Sequence, residues 1–186
     1  DYAVRPGFYA AMERGFADPA VGAVFSRHVF MDADGHWQSV SPLERPTPGI
    51  LADAAAHLAC EQRIMTPAIA VRRAVYERLG GFQPDLPCAE DWEMWVRIAA
   101  SYAVWYEPEP LALYRVHGAG NTGRFVRDAS DVAWTARVID RIASAGPEPF
   151  PAGCEALSRR RTCRREHGQG LREGIGIEAR PLDQAV

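Results

Sequence analysis

Two adjacent carboxylates, Glu90 and Asp91, stand where a loop rich in glycine and proline meets a strongly amphipathic helix pattern. The start of a helix stabilises an ionised carboxylate, because its unpaired N–H groups carry partial positive charge. Such a carboxylate suits a group that accepts a proton or binds a cation. The same position is also typical of an aspartate that only caps the helix. Local sequence favours the cap, and the two interpretations are compatible.

Three further groups of polar residues have spacing that invites a chemical interpretation. His117 follows a strand pattern and begins a glycine-rich segment, where it could bind a metal or phosphate, although such histidines are more often simply exposed. The acidic stretch 32–35 ends in glycine between two strand patterns, which predicts a hairpin turn rather than a metal site. Arg72 and Arg73 could bind an anion or be solvated.

The elements that would position these residues alternate between helix and strand patterns. Apolar spacing predicts helices over 7–15, 49–63, 74–79, 91–100 and 130–143, and strands over 21–31, 36–40, 66–72, 103–106 and 111–116. This mixture predicts an α/β or α+β domain. It lacks the repeated strand–helix–strand units of a complete nucleotide-binding sheet.

Composition and charge exclude several classes of protein. The 186 residues carry a net charge of −3, which gives no reason to expect nucleic acid as a partner. No apolar run approaches the roughly 20 residues of a membrane-spanning helix. The four cysteines, Cys60, Cys88, Cys154 and Cys163, lack the spacing of a zinc site, and we expect free thiols in a reducing compartment.

Six segments follow one another in an order that resembles the C-terminal half of a family 2 glycosyltransferase with the GT-A fold. They are 1–9, 32–35, 66–73, 76–82, 90–95 and 111–117. The resemblance covers residues 1–125 and implies a partial GT-A fold of the nucleotide-diphospho-sugar transferase type, an α/β architecture with a mixed sheet flanked by helices. A C-terminal helix would follow over 126–146, then a linker and a helical or disordered Arg-rich tail over 147–186. The family's N-terminal nucleotide-binding half is missing from this sequence.

The resemblance also implies roles for individual residues in the transfer of a sugar. Glu90 and Asp91 are similar to the family's acidic pair, whose aspartate is the general base that deprotonates the acceptor hydroxyl in inverting members. Gly80 and Gly81 resemble the loop beside the donor sugar. Arg115 would contact the donor's diphosphate.

A divalent metal, Mg²⁺ or Mn²⁺, is the cofactor that the resemblance implies. His117 is similar to a C-terminal histidine that helps to hold this metal or the diphosphate. Asp1 is similar to the last acidic residue of the family's metal-binding motif, whose upstream residues are not in this sequence. The metal would neutralise the diphosphate as it leaves.

The implied partners are a nucleotide-sugar donor and a glycan, lipid or other hydroxyl acceptor, as in polysaccharide, glycolipid or cell-surface glycan biosynthesis. The implied location is cytoplasmic, at the inner membrane face where the acceptor is a lipid or a surface polymer, with peripheral membrane association. Because the donor half is missing, we expect the chain alone to be inactive.

Two other functions remain open from the residues themselves. A non-catalytic carbohydrate-binding or assembly module could use Trp92, Trp95, Trp105 and Tyr106 as stacking surfaces, although the spacing of Trp92 and Trp95 favours burial. A metal-dependent hydrolase built from Glu90, Asp91 and His117 would need further ligands.

Overall fold

A mixed β-sheet with helices on both faces makes up the described part of the chain. The structure is a computed structural model that describes residues 2–117, 125 and 130–145. The strands are β1 (Tyr2–Val4), β2 (Val21–Met31), β3 (Trp37–Val40), β4 (Gly49–Ile50), β5 (Ile69–Val71) and β6 (Ala103–Arg115). The helices are α1 (Phe8–Gly15), α2 (Ala54–Cys60), α3 (Arg73–Leu79), α4 (Glu90–Ala99) and α5 (Ser130–Ala145), with a short 3-10 helix at Thr66–Ala68. This arrangement confirms the predicted α/β class.

The long strands β2 and β6 form the parallel centre of the sheet. The strand order is β1-β6-β2-β3, with β4 added to β6 and β5 added to β2. Every pairing other than β2 with β6 is antiparallel. The carboxyl ends of β2 and β6 therefore lie at one edge of the sheet, where the start of β1 also lies, since Tyr2 pairs with Tyr114.

Two hydrophobic cores cover the two faces of the sheet, because successive side chains of a strand point to opposite sides. Helices α2, α4 and α5 pack on the face that carries Phe25 and Tyr106. Helix α1 packs on the face that carries Val24 and Leu111. Asp91, at the start of α4, is therefore brought to the first of these faces.

Four predicted elements differ from the structure. The predicted helix over 49–63 is β4 followed by the shorter helix α2, which starts only after Asp53 with its left-handed backbone (φ 50°). The predicted strand over 66–72 is a 3-10 turn followed by β5. The predicted strands over 103–106 and 111–116 are one continuous strand, β6. The strand β1 was not predicted.

The structure also tests the expectation of free cysteine thiols and the expectation that no helix spans a membrane. Cys88 forms no disulfide, but the expectation of free thiols is wrong for Cys60, which is disulfide-bonded. Among the described residues, no helix has the length and apolar character to cross a membrane. The predicted linker and tail over 147–186 lie outside the described residues.

Candidate active site

Three hydrogen-bond donors fix the carboxylate of Asp91 in one orientation. Its Oδ1 accepts hydrogen bonds from Gln62 Nε2 at 3.0 Å and from the backbone N–H of Trp92 at 2.8 Å. Its Oδ2 accepts one from the hydroxyl of Thr66 at 3.1 Å. Because two of the donors come from a different part of the chain, the carboxylate is held by tertiary contacts as well as by its own helix.

The environment of Asp91 raises its pKa to about 6 from the ordinary value of 3.8. Burial is the main cause, because it disfavours the charged form, and the negative charge of Glu90 adds to it. The hydrogen bonds from Trp92 and Thr66 act in the opposite direction. Asp91 is therefore ionised at neutral pH but is a stronger base than an ordinary aspartate.

The start of α4 shows how the cap and the base interpretations combine. The helix begins at Glu90, so the capping position belongs to Ala89 and not to Asp91, and no side chain caps the helix. Asp91 nevertheless satisfies one N–H of the first turn, that of Trp92. Ala89 has a left-handed backbone (φ 59°), which is strained for a residue with a Cβ. Such strain often marks a functional site.

A second polar cluster holds the segment that carries Gln62. His57 Nε2 lies 2.6 Å from Glu44 Oε2, and the side chain of Glu44 is almost fully buried. Arg63 lies between two carboxylates, with Nη1 3.7 Å from Glu44 and Nε 3.0 Å from Glu61. The contact of Glu44 with His57 and the two ion pairs of Arg63 fix the chain on both sides of Gln62, which in turn fixes one donor to Asp91.

Tyr2 lies close to the same carboxylates from the side of β1. The 3-10 helix that carries Thr66 packs against β1. The pKa of Tyr2 is raised by burial first, then by Tyr114, with which it shares a hydrogen bond, and by the charges of Asp91 and Glu90. The described site thus combines one partly buried carboxylate, a second carboxylate beside it and an aromatic side chain.

The predicted donor loop, Gly80 and Gly81, is attached to a later part of α4. Arg97 donates hydrogen bonds to the carbonyls of Leu79 at 2.6 Å and Gly81 at 2.8 Å. Arg97 also forms an ion pair with Glu93, at 2.9 Å. At 1.5 Å of rise per residue, Arg97 lies about 9 Å along the helix axis from Asp91. The double glycine is therefore held by the C-terminal half of the helix.

Arg115 and His117 lie at the carboxyl end of β6. Leu111 faces α1, so alternation along the strand places Arg115 on the α1 side and Tyr114 on the opposite side, with Asp91. The guanidinium of Arg115 donates to the carbonyl of Ala33 in the β2–β3 turn. His117 is partly buried just beyond the strand.

Asp1 and His117, the predicted metal ligands, do not form a complete metal site within the described residues. Asp1 lies outside the described residues, which leaves His117 alone. Asp32, Asp34 and His36 have ligand atoms close together. However, the oxygens of Asp32 already accept hydrogen bonds from the N–H groups of Asp34 and His36 and from Gln38, as expected of a turn.

The aromatic residues proposed for a stacking module are mostly in the core. Trp92, Trp95 and Tyr106 are at most 5% exposed. Trp105 is only partly buried, but it packs with α1. The structure therefore favours the expectation of burial for Trp92 and Trp95 and leaves no stacking surface in this group.

Arg72 has a structural role, because its side chain binds backbone carbonyl groups. Its guanidinium donates hydrogen bonds to the carbonyls of Phe16, Asp18 and Val21, at 2.6 to 3.2 Å. These contacts join β5 to the end of α1 and the start of β2. An anion-binding role is therefore not available to Arg72 in this arrangement.

Gln62, Thr66, Tyr2 and Tyr114 belong to the site but received no role from the sequence. Three of them fall in segments that carry the resemblance, which is the one signal that could have drawn attention to them. Gln62 lies between segments and had no signal at all.

Comparison with known proteins gives one distant relative of unknown activity. No protein-family model matches the chain. The chain is 27% identical over 150 residues to the uncharacterised protein MT1568 of Mycobacterium tuberculosis (strain CDC 1551 / Oshkosh). No family follows from this identity. The alignment covers 75% of this chain and 47% of the relative, so the chain spans about half the relative's length.

Proposed function

We propose that this chain is the acceptor-side part of a glycosyltransferase that moves a sugar from a nucleotide-diphosphate donor to an acceptor hydroxyl. The observation that carries the proposal is the carboxylate of Asp91, which is partly buried, oriented by three donors and more basic than an ordinary aspartate. The resemblance of six ordered segments to family 2 glycosyltransferases supports the same role.

The contacts of Asp91 indicate which oxygen would take the proton. Among the described contacts, Oδ1 accepts two hydrogen bonds and Oδ2 accepts one. A carboxylate has about four lone-pair positions, so Oδ2 keeps more accepting capacity. In the proposed reaction the acceptor oxygen bonds to the anomeric carbon, its proton passes to Oδ2, and the bond to the nucleoside diphosphate breaks.

The donor side of the proposed reaction depends on parts of the family pattern that this sequence lacks. We propose that the nucleotide site and most of the metal ligands belong to the N-terminal half of the family pattern, which this sequence does not contain. His117, at the carboxyl end of β6, is the described residue proposed to join them. The proposed contacts of Gly80, Gly81 and Arg115 with the donor rest on the resemblance alone.

Transfer activity tests the proposal directly. The 186-residue chain and a longer polypeptide that includes the segment encoded before it are incubated with nucleotide sugars, Mg²⁺ and saccharide acceptors, and release of nucleoside diphosphate is measured. We expect release only from the longer polypeptide. Asp91→Asn should lower kcat at least about 100-fold, as expected for loss of a general base, with little change in the donor KM.

The matched control is Asp85→Asn, which removes a carboxylate on the loop that leads to the same helix. It should keep nearly full activity. Activity in the short chain alone would refute the proposed need for a preceding segment. Equal loss of kcat and donor affinity in Asp91→Asn would assign Asp91 to the integrity of the helix instead.

A further inference from the structure

We infer that Tyr2 and Tyr114 form a stacking platform for a pyranose ring of the acceptor, placed next to Asp91. The inference rests on the proposed function and extends it to the class of the acceptor. It concerns residues for which the sequence suggested no role, on the face of the sheet where α4 begins.

The platform consists of one exposed ring supported by a row of less exposed rings. Tyr2 is 60% exposed, and its ring centre lies 5.3 Å from that of Tyr114, with an angle of 32° between the planes. Tyr114 in turn contacts Phe30 edge-on at 5.8 Å, and Phe30 contacts His28 at 4.8 Å. Strand register sets this row, since Tyr2 and Phe30 both pair with Tyr114. The ring of Tyr2 is therefore already positioned, so that little side-chain entropy is lost when a ligand binds to it.

The position of the platform matches the two sides of a sugar ring. A pyranose has an apolar C–H face, which suits an aromatic surface, and a rim of hydroxyls, which needs hydrogen-bond partners. Thr66 joins the two halves of the site, because its short helix packs on β1 and its hydroxyl binds Asp91. A ring stacked on Tyr2 would present its hydroxyl rim to Asp91 and Glu90. The negative charges of these two residues are close enough to raise the pKa of Tyr2.

Other exposed aromatic rings lack this setting. Tyr9 is 71% exposed on α1, which covers the other face of the sheet. Trp37 is 43% exposed, but the guanidinium of Arg5 lies over its ring at 5.3 Å. Phe82 packs edge-on against the buried Trp95. Tyr9 is therefore the matched control for Tyr2, since it has a similar side chain and exposure without neighbouring site residues.

Nuclear magnetic resonance of the labelled 186-residue chain tests the platform. Cellobiose, maltose and N,N′-diacetylchitobiose are titrated in turn, with sorbitol as an acyclic polyol control and uridine monophosphate as a nucleotide control. We expect at least one disaccharide to shift the ring signals of Tyr2 and Tyr114 saturably, and sorbitol to shift neither. Tyr2→Ala should weaken binding about fivefold, which corresponds to one aromatic contact, whereas Tyr2→Phe should change it less than about twofold and Tyr9→Ala not at all.

Several outcomes overturn the inference. It fails if no disaccharide shifts the two rings, or if Tyr2→Ala binds as well as the unaltered chain. A saturable shift with uridine monophosphate alone would assign the surface to a nucleotide base instead. The same variants, in the transfer assay of the longer polypeptide, separate the two proposals. Disaccharide binding without transfer refutes the transferase alone, and transfer with an unchanged acceptor KM in Tyr2→Ala refutes the platform alone.

Discussion

Replacing Asp91 by asparagine should stabilise the protein at neutral pH, although it removes the proposed base. Burial raises the pKa of Asp91 from 3.8 to about 6, so the folded state resists its ionisation. A carboxyl whose pKa is raised on folding contributes stability below about pH 4, and this contribution is lost as the pH rises through about 6. Above that pH the unaltered protein bears the cost of a partly buried charge, which the neutral asparagine side chain would not carry.

The size of the effect follows from the shift in pKa. A rise in the pKa of Asp91 from 3.8 to about 6 corresponds to roughly 3 kcal/mol. Because Asp91 is only partly buried and its charge is partly solvated, we expect Asp91→Asn to raise the free energy of unfolding by about 1 to 3 kcal/mol at about pH 8. The gain should vanish near pH 4, where the folded protein is already protonated at this position. The asparagine carbonyl can still accept the N–H of Trp92.

Urea unfolding of both proteins, followed by circular dichroism between about pH 4 and pH 8, measures this difference. Asp85→Asn is the control of opposite sign, because hydrogen bonds from Arg141 hold the pKa of Asp85 below its usual value. That variant should lose a little stability at pH 8 and none at low pH. If Asp91→Asn is less stable than the unaltered protein at pH 8, the buried-charge reasoning is refuted, and the hydrogen bonds to the ionised carboxylate outweigh the cost of its burial.

Two further predictions concern the surroundings of this carboxyl group. Thr66→Val keeps the shape of the side chain but removes a donor to Asp91, so the pKa of Asp91 should rise further above 6. A carboxyl ¹³C titration measures this pKa. An unchanged value would contradict the hydrogen bond from Thr66. Ala89→Gly relieves the left-handed strain before α4 and should raise the free energy of unfolding by about 1 kcal/mol. Ala133→Gly, at an exposed position inside α5, should lower it by a similar amount, and a loss in both variants would show that Ala89 is not strained.

The sequence predicted α4 and its acidic start because the signals there are local. The helix has a clear apolar stripe, and the glycines and prolines before it predict a break in regular structure. The donors to Asp91 could not be predicted in the same way. Gln62 and Thr66 lie far from Asp91 in the chain, and only the packing of α2 and the 3-10 helix brings them to it.

The error at β6 has a specific physical cause. Pro108 and Pro110 lack an N–H group, and such residues normally interrupt a strand in the middle of a sheet. Here the pairing with β2 shifts register between Ser26 and His28, opposite this proline-containing stretch. An irregularity of this kind tolerates residues that cannot donate, so the strand continues to Arg115. The extra residues of this irregularity lie in β6 itself, because Ser26 and Arg27 are consecutive in β2 but pair with Glu107 and Pro110. Only the pairing with β2 reveals that the prolines coincide with a bulge and do not end the strand.

The parallel pairing of β2 with β6 also governs the order of events during synthesis. The two strands are separated by most of the described chain, so their contacts have high sequence separation and form slowly. Until the ribosome has released β6, the apolar strand β2 has only its short antiparallel neighbours β3 and β5 for pairing. A nascent chain that stalls before Leu111 would therefore expose a long apolar strand edge, which makes it a substrate for chaperones and prone to aggregate.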